Sequence, residues 1–141
     1  MDDLYLHLHS GDSVSSHVEN HAGDFTIDLS RTYPLNGQWE CTLTEIMFVS
    51  DYEKLTHRIY VCSSFVEDSY VKGTLLPILR SIDVDAEEKV GLIFDPVFNF
   101  KVQLEELRPL HIFISDDTLG ASRFKIDRLY CTLHFRRRWA R

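Results

Sequence analysis

The stretch Leu35-Asn36-Gly37-Gln38-Trp39-Glu40-Cys41-Thr42-Leu43-Thr44-Glu45-Ile46-Met47-Phe48 decides the fold. Trp39, Cys41 and Leu43 alternate with Glu40, Thr42 and Thr44, the period-two pattern of a strand with one buried face. Pro34 and the Leu35-Asn36-Gly37 turn lead into it. At Glu45 the parity slips, because Ile46 and Phe48 carry the apolar character onward from even positions. A bulge there bends the strand and swaps its faces, as happens at the corners of sandwiches and barrels.

The same period recurs on both sides. Leu4, Leu6 and Leu8 alternate with Tyr5, His7 and His9, and Phe25, Ile27 and Leu29 alternate with Thr26 and Asp28. A polar, turn-rich loop separates these two strands. Ile59 to Phe65 reads as a strand apolar on both faces, with Tyr60 and Cys62 opposite Ile59 and Val61. Thr74 to Arg80 is extended but holds Pro77, which confines it to an edge or a strand end. Val90–Phe94, Val97–Val102, Leu110–Ser115, a short Phe124–Ile126 and Leu129–Phe135 complete the set. Leu104 and Leu107, three apart, make Gln103–Arg108 the one expected helical turn. Roughly seven to ten short strands joined by turns predict an all-β, antiparallel sandwich or barrel.

At 141 residues the chain is one domain's worth of material, with a hydrophobic fraction of 44% and no repeat or low-complexity tract. Its net charge of −7 is uneven. Residues 1–135 carry 11 basic against 22 acidic side chains, a net −11, whereas Arg136, Arg137, Arg138 and Arg141 give the end of the chain +4. The expected organisation is therefore one domain over 1–135 and a basic tail over 136–141. So acidic a body disfavours nonspecific duplex binding, which depends on Lys and Arg neutralising phosphates. Cys41, Cys62 and Cys131 are widely spaced and embedded in apolar runs, which predicts reduced core thiols and assembly in a reducing compartment. No signal-peptide pattern and no membrane span are expected.

Candidate chemistry is sparse. His7 and His9 share a strand face, and His17 and His21 follow in a loop, but no zinc-type spacing supports a metal site; the plainer reading is a solvent-facing strand. The acidic clusters at 83–88 and 116–117 do not match a calcium loop. There is no nucleophile elbow, cysteine-protease signature or phosphate-cradling glycine loop, so neither an enzyme nor a cofactor is expected. Trp39 and Phe25 read as core residues. The interface or nucleic-acid candidates are Arg136, Arg137, Arg138, Trp139 and Arg141, with Trp139 as an apolar anchor among the arginines. Four arginines are too few for tight phosphate binding on their own, so the competing reading has them close the last strand and offset the acidic body.

The segment Leu35–Ile46 resembles the "pi-x-L-x-G-x-W-E-V-x-L-x-E-I" stretch of small proteins encoded by Polinton (Maverick) elements and related adintoviruses. Further segments resemble that family in the same order. They are Ser10, Asn20 and Phe25–Leu29; then Tyr60-Val61-Cys62 through Val66-Glu67, Gly73 and Leu76–Arg80; and finally Ile112–Thr118 and Cys131–Arg137. Leu119 stands where the family often has Gly, and Arg138 to Arg141 extend past its closing residues. The resemblance implies a single jelly roll of about eight strands. It further implies a minor capsid, penton-like virion protein, assembled in the host nucleus or cytoplasm, that forms pentameric rings at capsid vertices beside a major capsid protein. It places Arg136 and Arg137 inside a shared motif and leaves Arg138, Trp139 and Arg141 for other contacts, a weak one to nucleic acid among them. The alternative is a jelly-roll module that binds a glycan or receptor without catalysis, with Tyr5, Tyr52 and Tyr70 as candidate contacts.

Overall fold

Alternation becomes strand along most of the described residues in a computed structural model, which describes residues 3–11, 23–35, 37–50, 57–71, 73–84, 89–95, 98–103, 106–116 and 126–138. The strands are β1 (Asp3–His9), β2 (Asp24–Pro34), β3 (Gln38–Ser50), β4 (His57–Ser63), β5 (Ser69–Val71), β6 (Thr74–Leu76), β7 (Ile78–Val84), β8 (Lys89–Ile93), β9 (Phe100–Lys101), β10 (Glu106–Asp116) and β11 (Ile126–Arg138). None of the described residues is helical. The fold is an antiparallel β-sandwich. Its first sheet runs β1-β11-β3-β8, with β9 also on β3, and its second runs β2-β10-β4-β7.

The pairings nest. β1 pairs with β11, β2 with β10, β3 with β8 and β9, and β4 with β7, so the chain is one long antiparallel hairpin. Doubling it over joins β3 to β11 and β4 to β10 and closes the two sheets. Between them lies one continuous core, to which Leu8, Phe25, Trp39, Leu43, Ile59, Leu79, Leu110 and Phe135 all belong. Fully burying each such aliphatic or aromatic side chain contributes about 1.5–3 kcal/mol. Phe65, just past β4, reaches Phe135 with ring centroids 5.3 Å apart.

The slip at Glu45 is a real bulge. Leu133 faces Leu43 while Thr132 faces Glu45, so Thr44 is the extra residue in β3. Its hydroxyl donates to the Thr132 carbonyl at 3.2 Å, and its own carbonyl accepts from the Phe94 amide at 3.0 Å. Beyond it Ile46 and Phe48 point into the core where Glu45 would have pointed.

The two apolar faces of β4 also have a cause. Ile59 and Val61 enter the main core, while Tyr60 and Cys62 join Ile78 in a second cluster on the outer side of the sheet, against which Val71, Leu76 and Phe113 pack. Val71 and Leu76 come from the β5–β6 hairpin, which covers that face. Pro77 sits between β6 and the sheet-edge strand β7, as its missing N–H requires.

Three expectations change. Glu106 and Leu107 are strand residues opposite Pro34 and Tyr33, not the end of a helical turn. Of the expected strand over 97–102, the described residues 98–102 keep only the two residues of β9 and a single bridge from Val102 to Val66, and Val97 lies outside the described residues. β11 runs to Arg138, so Arg136, Arg137 and Arg138 are sheet residues rather than a tail.

Cys41, Cys62 and Cys131 are free and buried, as the sequence predicts. Burial, reinforced by the neighbouring Cys131, raises the Cys41 thiol well above its usual value. Burial alone pushes Cys62 and Cys131 up to about 12. The unfolded chain releases these protons near 9.0, so above that pH the native state holds more protons and stability falls as pH rises towards 12. The urea midpoint should therefore decline above about pH 9, and less steeply in Cys62→Ala; an unchanged slope would contradict the burial. Trp39 is 4% exposed. Trp39→Ala should cost about 3–5 kcal/mol in chemical denaturation, and a midpoint equal to wild type would place the indole outside the core.

Candidate functional site

Because β1, β11, β3 and β8 are neighbours, their outward residues line up in rows across the first sheet. One row is His7, Thr132, Glu45 and Ile93; the next is His9, Tyr130, Met47 and Gly91. Together they line a cleft of about 470 Å³ on the outer face. Ile93 is 83% and Met47 45% exposed, large values for apolar side chains on a sheet. Gly91 leaves a gap beside Met47, and a Cβ added there would meet nothing within 4 Å. A glycine inside a strand weakens pairing and marks places where another group approaches closely.

The centre of the cleft is polar and ordered. The Thr132 hydroxyl donates to Glu45 Oε1 at 2.7 Å, and His7 Nδ1 lies 3.1 Å from the same hydroxyl. An ionised carboxylate only accepts, so the single Thr132 proton goes to Glu45. The hydroxyl then accepts from His7, which fixes the neutral ring as the Nδ1–H tautomer with its Nε2 lone pair unprotonated. Neither His7 Nε2 nor Glu45 Oε2 hydrogen-bonds to any described residue. With the ring neutral both are acceptors, so the cleft suits a ligand rich in donors.

Stacked rings flank this centre. Tyr5 lies on His134 at 4.2 Å and 1° between planes, and His9 lies on Tyr130 at 4.2 Å and 11°. His134 Nε2 also meets Asp3 Oδ1 at 2.7 Å, which ties the edge strand β1 to β11. On the opposite sheet His111 makes the corresponding contact to Asp24 at 2.6 Å.

The arginines gather at the far end of β11. Arg136 and Arg138 both approach Glu40 Oε1, at 3.7 and 3.4 Å, so one carboxylate offsets part of the basic charge. Arg138, which the sequence leaves for outside contacts, thus shares a partner with Arg136. Arg137 projects to the other face, with its guanidinium against Gly37, whose φ of +91° a side chain would rarely adopt. Trp139 and Arg141 lie outside the described residues, as do His17, His21 and Tyr52.

His7 and His9 do share a face, but Thr132 and Tyr130 engage them. Among the described residues no group of three or more His, Cys, Asp or Glu is placed to hold a metal. The aromatic candidates for a glycan site are not brought together. Tyr5 sits on the first sheet, and Tyr70, 75% exposed, is on the hairpin covering the second. The cleft residues Glu45, Met47, Gly91, Ile93 and Thr132 were missed because only strand register unites them. No protein-family model matches the chain, and neither does any curated protein or solved structure.

Thr132→Val removes the shared hydroxyl. Nitrogen-detected NMR of the neutral ring should show His7 in the Nδ1–H form in wild type and as a tautomer mixture in the variant. A mixture already present in wild type would contradict the polarity assigned to the row.

Proposed function

We propose that the chain is a structural virion protein, a minor capsid, penton-like subunit built as a single jelly roll that associates into rings at capsid vertices beside a major capsid protein. The observation that carries this reading is the nesting of strands. With the β5–β6 hairpin set aside and β8 and β9 counted as one interrupted strand, eight strands remain and pair first with last, second with seventh, third with sixth and fourth with fifth. That is how the strands of a jelly roll, a shared design of capsid and lectin domains, are wound. The segments resembling Polinton and adintovirus proteins run in the same order along these strands. Reduced core thiols fit assembly in the host nucleus or cytoplasm.

Exposed Met47, Ile93 and Tyr130 on the outer face of the first sheet supply apolar surface for a neighbouring subunit. The cleft favours a second reading, a non-catalytic module that binds a glycan or receptor. Light scattering and negative-stain imaging of the protein, alone and with its major capsid partner, separate the two. Pentameric rings, or incorporation at vertices, are the expected result. A strict monomer that never joins the shell but binds a glycan on an array belongs to the second reading and overturns the first.

A further inference from the structure

We infer that the cleft on the outer face of the first sheet receives Trp139-Ala140-Arg141 of a second copy of the chain. This rests on the self-associating reading above and gives it a contact.

Three observations converge. The free polar atoms of the cleft, His7 Nε2 and Glu45 Oε2, are acceptors, and a guanidinium offers five donors and no acceptor. The body that bears them carries a net −11, while the chain's densest basic run is Arg136 to Arg141. Charge therefore selects this segment among the chain's own. The apolar part of the cleft, Met47, Ile93 and Tyr130 around the gap at Gly91, is open to an aromatic ring, and Trp139 is the aromatic residue set among those arginines.

Geometry then decides between the same and another copy. Cleft and arginines belong to one strand, β11, with Thr132 in the central row and Arg138 six residues further on. Six strand residues span about 20 Å. Residues 139–141 extend at most about 11 Å beyond Arg138, and the strand there heads away from the cleft. To approach its own central row a copy's segment would have to reverse at Arg138 and run back fully extended along its own sheet, whereas the segment of a second copy can enter in the direction it already runs. The contact then joins unlike surfaces of two copies, and such a contact repeats until it closes into a ring or runs on as a filament.

The test uses a dye-labelled peptide with the sequence of residues 136–141, titrated by fluorescence anisotropy into full-length protein. Trp139→Ser and Arg141→Ser in that protein keep its own segment from competing. Saturable binding that weakens with salt is expected. Gly91→Leu, which fills the gap at a position with open space around it, should weaken binding roughly tenfold or more, as should Glu45→Gln. Gly91→Ala should leave it near wild type, and thermal melts establish that each variant is folded. No binding, or equal binding to the Gly91→Leu protein, overturns the inference.

Light scattering on the unsubstituted chain keeps the two readings apart. Rings that persist in Gly91→Leu would leave self-association standing and remove the cleft as its contact. Peptide binding confined to the cleft in a chain that is monomeric at every concentration would show a cleft able to take the segment but would overturn both the rings and the contact between copies. Rings lost in Gly91→Leu and in the Trp139, Arg141 double variant alike would support both.

Discussion

The one extra residue in β3 organises both sides of the first sheet. Without the bulge at Thr44, Glu45 would continue the inward series of Trp39, Cys41 and Leu43 and bury an unpaired carboxylate, which costs several kcal/mol. With it, Ile46 and Phe48 fill the core and Glu45 stands outside opposite Thr132. The hydroxyl of Thr44 itself satisfies the Thr132 carbonyl at the point where the ladder is interrupted. A single local irregularity thus completes the core and places the acid of the His7–Thr132–Glu45 row.

The two outer faces of the sandwich are unequal for a related reason. The second sheet carries apolar residues outward on β4, and the β5–β6 hairpin spends its own Val71 and Leu76 covering them. Among the described residues nothing similar covers the outward Met47, Ile93 and Tyr130 of the first sheet. Exposed apolar groups, a strand glycine and an ordered polar row therefore coincide on one face. The arginines lie at the other end of the strand that runs through the middle of that face.

Much of this was legible in the sequence. Period-two patterns located β1, β2, β3 and β11, a run apolar on both faces located β4, the parity slip at Glu45 located the bulge, and Pro77 marked the break before an edge strand. The apolar second face of β4 was visible as an anomaly, and its partner hairpin was not. The Leu104–Leu107 spacing suggested a helical turn because a three-residue interval is ambiguous in so short a segment; pairing of Glu106 and Leu107 with β2 overrides it. The cleft stayed hidden for a different reason. His7 and Thr132 are 125 positions apart, and nothing local says that they face each other. Alternation tells which face a residue takes but not which residue of another strand it meets.

The nested hairpin also sets an order of events in time. β11 lies between β1 and β3, so both wait for the last strand before they acquire that neighbour. On the ribosome, β1 is made before the other described strands and waits longest for its partner, and the first sheet cannot close until synthesis has passed residue 138. Until then β1 and the long edge of β3 are open templates for other chains, the condition that favours aggregation over folding. Contacts of such long sequence separation are also slow to form. The first sheet is therefore completed in one step, once its last strand has been made, rather than strand by strand.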